Sequence, residues 1–299
     1  MVGAEVLKLA PCVDKAWGFP LTPDSPPWWR HWGILQALRR EQFDAAFNFS
    51  GADRTIFVTT FLGPRHTLAH EAGRKHFWSH WLPVDWVERR SRDLPVFEQR
   101  RQVLAAGDFQ LEPPRFDLRI PDDARQWAET AAADRPIHLS ISASTSVKEW
   151  PVENWAGIVK LFSEKLPGVP LVATGAANPR EQRRLKELAA ATGGARLTCF
   201  EGLSIPRLAA LLQRCRLHIG ADSGPLHLAW ALGTPTLAMF RQYDGLAEWL
   251  PRGEMHRHVI TPCRCIDQRR NDCLAAGRAA CLAAISPEQV CESACQQMR

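Results

Sequence analysis

No stretch of this 299-residue chain approaches the ~18 to 20 consecutive apolar residues of a membrane span, because Arg, Lys, Asp or Pro breaks every long run. A bilayer crossing is therefore not expected. The opening residues, MVGAEVLKLAPCVDKAW, lack the basic leader, apolar core and small-residue cleavage site of a secretory signal, so the expected compartment is the cytoplasm. Internal repeats and low-complexity segments are also missing, which leaves an ordinary globular chain. Nor is there a strong excess of one charge. Lys and Arg number 37 against 32 Asp and Glu, a net charge of +5, and the basic residues of ERRSRDLPVFEQRRQ and RCIDQRRND are interleaved with acids. That balance suits a phosphorylated sugar or an anionic lipid surface as well as nucleic acid.

The length allows about two domains of ~150 residues, each able to bury its own core. Nine cysteines are present. Cys12, Cys199 and Cys215 are scattered through apolar contexts, whereas Cys263, Cys265, Cys273, Cys281, Cys291 and Cys295 crowd the tail. The tail spacing begins C-x-C and continues at seven-residue intervals, which is not a standard zinc pattern. Reduced thiols packed against the core are the preferred expectation. A metal held by Cys263, Cys265, Cys273 and Cys281 is the alternative.

Two halves are visible. The first runs through short apolar segments, from FDAAFNFS to TIFVTTFLG, and helical patterns such as WWRHWGILQALRREQ. The switch comes where Pro121 and Asp122 open a helix, predicting domains over 1–121 and 122–299. From PIHLSIS onward the rhythm is regular: strands IHLSIS, VPLVATG, RLHIGA and TPTLAMF alternate with helices VENWAGIVKLFSEKL, PREQRRLKELAAATG, SIPRLAALLQRC and PLHLAWALG. Apolar strands separated by amphipathic helices predict a doubly wound α/β domain on a parallel sheet.

Ligands of such sheets gather outside the carboxyl ends of the strands. Three of those ends carry suggestive loops. IHLSIS leads into ASTSVKEWP, a hydroxyl-rich loop with Ser144 and Lys148. VPLVAT leads to Gly175, with Glu181 in the following helix. LHIGA leads to Asp222, Ser223, Gly224 and Pro225, then His227 in the next helical turn. A helix start offers free N–H groups and the positive end of a dipole, so Ser223 to Leu226 form a candidate anion site. Gly224 would let a phosphate approach the backbone, and Lys148 would add charge. Taken singly, these residues have plainer readings. Asp222 is a helix N-cap, His227 a packed ring, Lys148 a solvated side chain, and Glu181 a surface ion-pair partner.

Together, KEWPVENWAGIV, the Gly175 turn and above all GADSGPLHLAWALGTP resemble glycosyltransferase family 9, the heptosyltransferases of bacterial lipopolysaccharide assembly. Their D-[ST]-G-x-x-H-L-A-x-A-L-G-x-P signature holds the diphosphate of an ADP-sugar. The likeness extends through CLAAISPEQV and, more loosely, covers LRREQFDAAFNFSGADRT. It implies an α/β GT-B fold, two Rossmann-like doubly wound domains facing a cleft, and an inverting transfer of heptose or a related sugar to a lipopolysaccharide-core or similar acceptor. Carried over by position, Lys148, Ser223 and Gly224 would grip the phosphates, with Ser144 and Gly175 beside them. Asp222 and His227 would shape that site, Glu181 would meet the ribose, and Arg54 the acceptor.

No D-x-D string is present to hold a divalent ion on a diphosphate, so no catalytic metal is expected. The ADP-sugar is expected as donor substrate rather than cofactor. Nucleic acid is not among the expected partners; peripheral contact with the inner face of the cytoplasmic membrane is. The resemblance also carries cysteine-bound iron in some protein-modifying relatives. Family members begin with a strand and a Gly-Asp loop, whereas Met1 to Leu9 already resembles the helix beyond them. The N-terminal domain is therefore expected to be incomplete and the catalytic residue unknown, with Asp53 the remaining candidate base. Two alternatives stand beside the enzyme: a sugar-nucleotide-binding remnant, and another GT-B enzyme such as a nucleotide-sugar epimerase. Trp28, Trp29 and Trp32 are considered as a sugar or lipid platform against a packing role.

Overall fold

The computed structural model describes residues 2–18, 28–71, 81–88, 93–109, 111–112, 115–132, 135–193, 197–267 and 272–298. They form two compact units that interleave along the chain: Trp17–Arg115 with Gly245–Trp249, and Val2–Ala16 with Phe116–Asp244 and Leu250–Arg299. A single boundary at 121 does not capture this. Residues 2–16 and 116–121 cluster with the second unit, because helix α1 (Val2–Leu7) contacts a helix of that unit and Leu9 is buried in one of its core clusters.

In the first unit, α2 (Trp32–Arg40), β1 (Ala45–Asn48), α3 (Asp53–Leu62), β2 (His66–His70), β3 (Asp85–Val87) and α4 (Val96–Ala105) surround a parallel sheet ordered β1-β2-β3. The run TIFVTTFLG, grouped with the apolar segments on sequence, lies in α3. It has an acidic residue in its first turn and ends at Gly63, whose φ of 67° closes the helix in the left-handed region. Asn48 organises the β1–α3 turn, its Oδ1 accepting from the N–H groups of Ser50 and Gly51 at 3.1 Å.

The second unit contains α5 (Asp122–Ala131), β4 (Ile137–Ser140), α6 (Val152–Lys165), β5 (Leu171–Gly175), α7 (Pro179–Thr192), β6 (Leu197–Glu201), α8 (Ile205–Arg214), β7 (Leu217–Ala221), α9 (Gly224–Ala231), β8 (Thr236–Arg241) and β9 (His256–Thr261). Three single turns follow, α10 (Arg264–Asp267), α11 (Asp272–Ala275) and α12 (Ala280–Ala283), then α13 (Pro287–Gln297). All six strands run parallel in the order β6-β5-β4-β7-β8-β9. This is the Rossmann order, with its reversal between β4 and β7. The sequence reading found β4, β5, β7 and β8 but not β6 or β9. Those two are the sheet edges, where burial alternates with exposure, so neither reads as a continuous apolar run.

Local sequence sets several helix starts. Asn178, Ser204 and Ser286 each cap a helix by accepting a backbone N–H three residues on, with proline in the first turn. Trp150 and, from α6, Trp155 and Phe162 are buried in one core cluster with Val290 and Cys291 of α13, and burial of the Phe162 ring contributes roughly 1.5–3 kcal/mol. Gly157 permits that packing, since a Cβ there would lie 2.9 Å from Pro287 Cγ. Among the described residues, no helix is long and apolar enough to cross a membrane.

Candidate functional site

A cavity of about 300 Å³ opens in the second unit at the carboxyl ends of β4, β5 and β7, the point where the strand order reverses. Its polar wall carries the hydroxyls of Ser140, Ser142, Ser144, Thr174 and Ser223, together with the Gly175 and Gly224 backbone. Val6, Ile205, Leu208 and Leu228 form the apolar side. The Oγ atoms of Ser142 and Ser223 are buried without a hydrogen-bond partner. Buried hydroxyls normally find one, so these two are suited to a polar ligand.

Ser223 is the N-cap of α9, yet its side chain makes no capping bond. The plain reading of Asp222 as the cap is therefore corrected. The carboxylate instead accepts a hydrogen bond from Lys148 Nζ at 2.6 Å, and its other oxygen lies 3.5 Å from His227 Nε2. Burial alone would push the Asp222 carboxyl up. Hydrogen bonds from His227 and Lys148 and the Lys148 charge outweigh it, holding the group below its usual value. Lys148 and Asp222 line a smaller adjoining cavity rather than the larger one. An ammonium has three N–H donors, so Lys148 keeps donors beyond the one used on Asp222.

Gly224 begins α9, and a Cβ built on it meets nothing within 4 Å. The space beside this backbone is open. By contrast, Glu181 is engaged. Its Oε2 accepts from Ala176 N–H at 2.8 Å, its Oε1 accepts from Asn178 Nδ2 at 2.8 Å, and its own N–H donates to Asn178 Oδ1. Asn178 thus caps α7 while the Glu181 side chain folds back onto the preceding turn, a helix start signalled by N-P-R-E in the sequence. Each carboxylate oxygen retains a second lone pair beside the cavity.

Beneath the Ser142–Ser144 loop lies a network that the sequence reading missed. The buried Glu149 carboxylate pairs with Arg180 at 2.9 Å and accepts from Ala143 N–H at 3.1 Å. Arg184 donates to the Ile141 and Trp150 carbonyls at 2.8 and 2.7 Å. Arg180 also donates to the Ala143 carbonyl at 2.6 Å, so four peptide groups around the loop are tied down. The signal was a carboxylate between Lys148 and the fully buried Trp150, together with arginines one helical turn apart in α7. His138 and His218 were also missed, although each stands second in its strand, in I-H-L-S and L-H-I-G. They are paired in register at the sheet centre.

Elsewhere, Asp53 and Arg54 occupy the exposed first turn of α3. Trp32 is exposed and packs on Phe61 with ring centroids 5.2 Å apart. The side chains of Trp28 and Trp29, considered with it as a platform, lie outside the described residues. Near the tail, Cys265 Sγ is 3.3 Å from Cys273 Sγ, and Cys263 lies near Cys281. Cys273 and Cys291 are buried in the main core, with Cys265, Cys281 and Cys295 packed against it. Among the described residues, no group of three or more His, Cys, Asp or Glu side chains is arranged to hold a metal ion.

Comparison with known proteins identifies the family and the fold. The profile of glycosyltransferase family 9 (heptosyltransferase) matches residues 31–276. Lipopolysaccharide heptosyltransferase 1 of Pseudomonas aeruginosa is 27% identical over 244 residues, 79% of this chain and 64% of that relative, so the chain spans less than two thirds of the relative's length. The structure of E. coli ADP-heptose lipopolysaccharide heptosyltransferase II aligns with a TM-score of 0.74, covering 99% of this chain and 87% of its own at 18% identity. E. coli heptosyltransferase WaaC with ADP gives 0.73, covering 98% and 87% at 17% identity. These structures share the α/β GT-B fold expected from the sequence. With the family profile matched over most of its length, the chain belongs to glycosyltransferase family 9.

Proposed function

We propose that this protein is an inverting glycosyltransferase that moves heptose, or a related sugar, from an ADP-sugar to a lipopolysaccharide-core or similar acceptor. The observation that carries the reading is the cavity at the β4/β7 reversal, where the start of α9 meets the two unpartnered hydroxyls of Ser142 and Ser223. A diphosphate is acceptor-only, and this wall offers donors: hydroxyls, the first-turn N–H groups of α9 and, from the adjoining cavity, the Lys148 ammonium.

In the reaction, an acceptor hydroxyl attacks the anomeric carbon from the face opposite ADP. Charge develops on the departing diphosphate, where a well-placed donor is worth ~3 kcal/mol. Ser144, Gly175, Ser223 and Gly224 form the phosphate side. Lys148 supplies charge while Asp222 and His227 fix its position, and the free lone pairs of Glu181 accept from ribose hydroxyls. On the first unit, Arg54 is the proposed acceptor contact and Asp53 the candidate base. Peripheral contact with the cytoplasmic membrane follows from a lipid-linked acceptor.

Calorimetric titration with ADP, followed by transfer from ADP-heptose to a lipopolysaccharide-core acceptor, tests the proposal. Saturable ADP binding with measurable transfer is expected. Absence of ADP binding would refute the donor-site reading. Binding without transfer would favour a sugar-nucleotide-binding protein.

A further inference from the structure

Below the cavity floor, three buried polar side chains form a chain across the central strands. His218 Nδ1 lies 2.8 Å from His138 Nδ1, and His138 Nε2 lies 2.9 Å from Thr174 Oγ1. Both rings are fully buried, and Thr174 lines the cavity. His218 Nε2, at the far end, has no partner. Burial disfavours charge on either ring, pushing His138 down to about 3 and His218 well below its ordinary value, so both are neutral.

A neutral imidazole carries a single N–H, which leaves two arrangements. If His138 donated through Nδ1, His218 would carry its proton on Nε2, as a buried N–H without an acceptor. The Thr174 proton would then be spent on His138 Nε2. If His218 donates through Nδ1 instead, His138 carries its proton on Nε2 and donates it to Thr174 Oγ1. The Thr174 proton is then left free.

Two facts select the second arrangement. Orphaned buried N–H groups are rarer than under-satisfied acceptors. A Cβ at Gly220 would lie 2.9 Å from His218 Nε2, so a Gly220 Cα hydrogen points at that nitrogen, which favours a lone pair there over a proton.

We infer that His218 and His138 are positioning residues that fix the Thr174 hydroxyl as a hydrogen-bond donor into the cavity, making Thr174 a binding residue for an acceptor-only oxygen of the nucleotide diphosphate. The ligand identity rests on the donor-site reading proposed above; the tautomer order does not.

Long-range ¹⁵N–¹H correlation spectra of the ligand-free protein, labelled at histidine, read the tautomers directly. The expected result is His218 protonated at Nδ1 and His138 at Nε2; the reverse order would overturn the inference. ADP titration then tests the hydroxyl. Thr174→Val should weaken binding about tenfold, as expected for one hydrogen bond to a charged oxygen, while Thr174→Ser should restore it. Equal affinity of Thr174→Val and wild type would overturn the role of Thr174. Failure of wild type itself to bind ADP would overturn the donor-site reading and the ligand named here. If Thr174→Val does not fold, the spectra of the wild type and the Thr174→Ser titration still decide.

Discussion

Lys148 Nζ donates to Asp222 Oδ2 at 2.6 Å, joining the loop after β4 to the loop after β7 across 74 residues of sequence. The pair bridges the point where the strand order reverses. It holds a cation beside the start of α9 before any ligand arrives.

Lys148→Ala should therefore do two separable things. It should lower ADP affinity about tenfold by removing a charged donor, and lower the melting temperature by leaving the Asp222 carboxylate with a weaker partner. Adding Asp222→Asn should recover much of the melting temperature but none of the affinity. Recovery of both in the double variant would show that Lys148 acts through stability alone. Paired thermal melts and calorimetry make the check.

Gly224→Val should leave the fold intact, because a Cβ there meets no atom within 4 Å, and should abolish the rise in melting temperature produced by ADP. Equal shifts in variant and wild type would move the phosphate site elsewhere.

The histidine pair predicts a pH dependence. Both folded-state values are depressed, so the unfolded chain binds more protons as pH falls. Stability should be complete above the unfolded value near 6.5 and decline below it, by up to about 1.4 kcal/mol per pH unit for each histidine. For His138 the loss continues down to about 3. Asp222 adds a loss in a lower window, because its depressed folded value removes stability as pH falls through it. Urea unfolding at intervals from pH 7.5 to 4.5 measures the slope. A flat profile between 6.5 and 5 would mean that the buried rings are charged in the folded state or that the unit opens there.

ADP affinity should be unchanged by EDTA, because hydroxyls, the α9 N-terminus and Lys148 are proposed to supply the donors that a divalent ion would otherwise replace. Collapse on chelation, with recovery in magnesium or manganese, would refute a metal-independent diphosphate site.

The sequence by itself determined the Rossmann rhythm of the second unit, because its central strands are apolar runs and its helices carry Asn-Pro and Ser-x-Pro starts that need no distant partner. It also determined the loop between β7 and α9, since Asp222 to Pro235 is a contiguous signature joining a strand to a helix. Tertiary structure decided the rest. Edge strands β6 and β9 are half exposed and acquire strand character from a neighbour rather than from their own pattern. Glu149 is legible as a buried anchor only once Arg180 and Arg184 arrive from α7, more than 30 residues on. His138 and His218 are 80 residues apart, and neither has a visible partner until β4 and β7 pair in register. A buried polar group is defined by what surrounds it, and only the folded sheet supplies those surroundings.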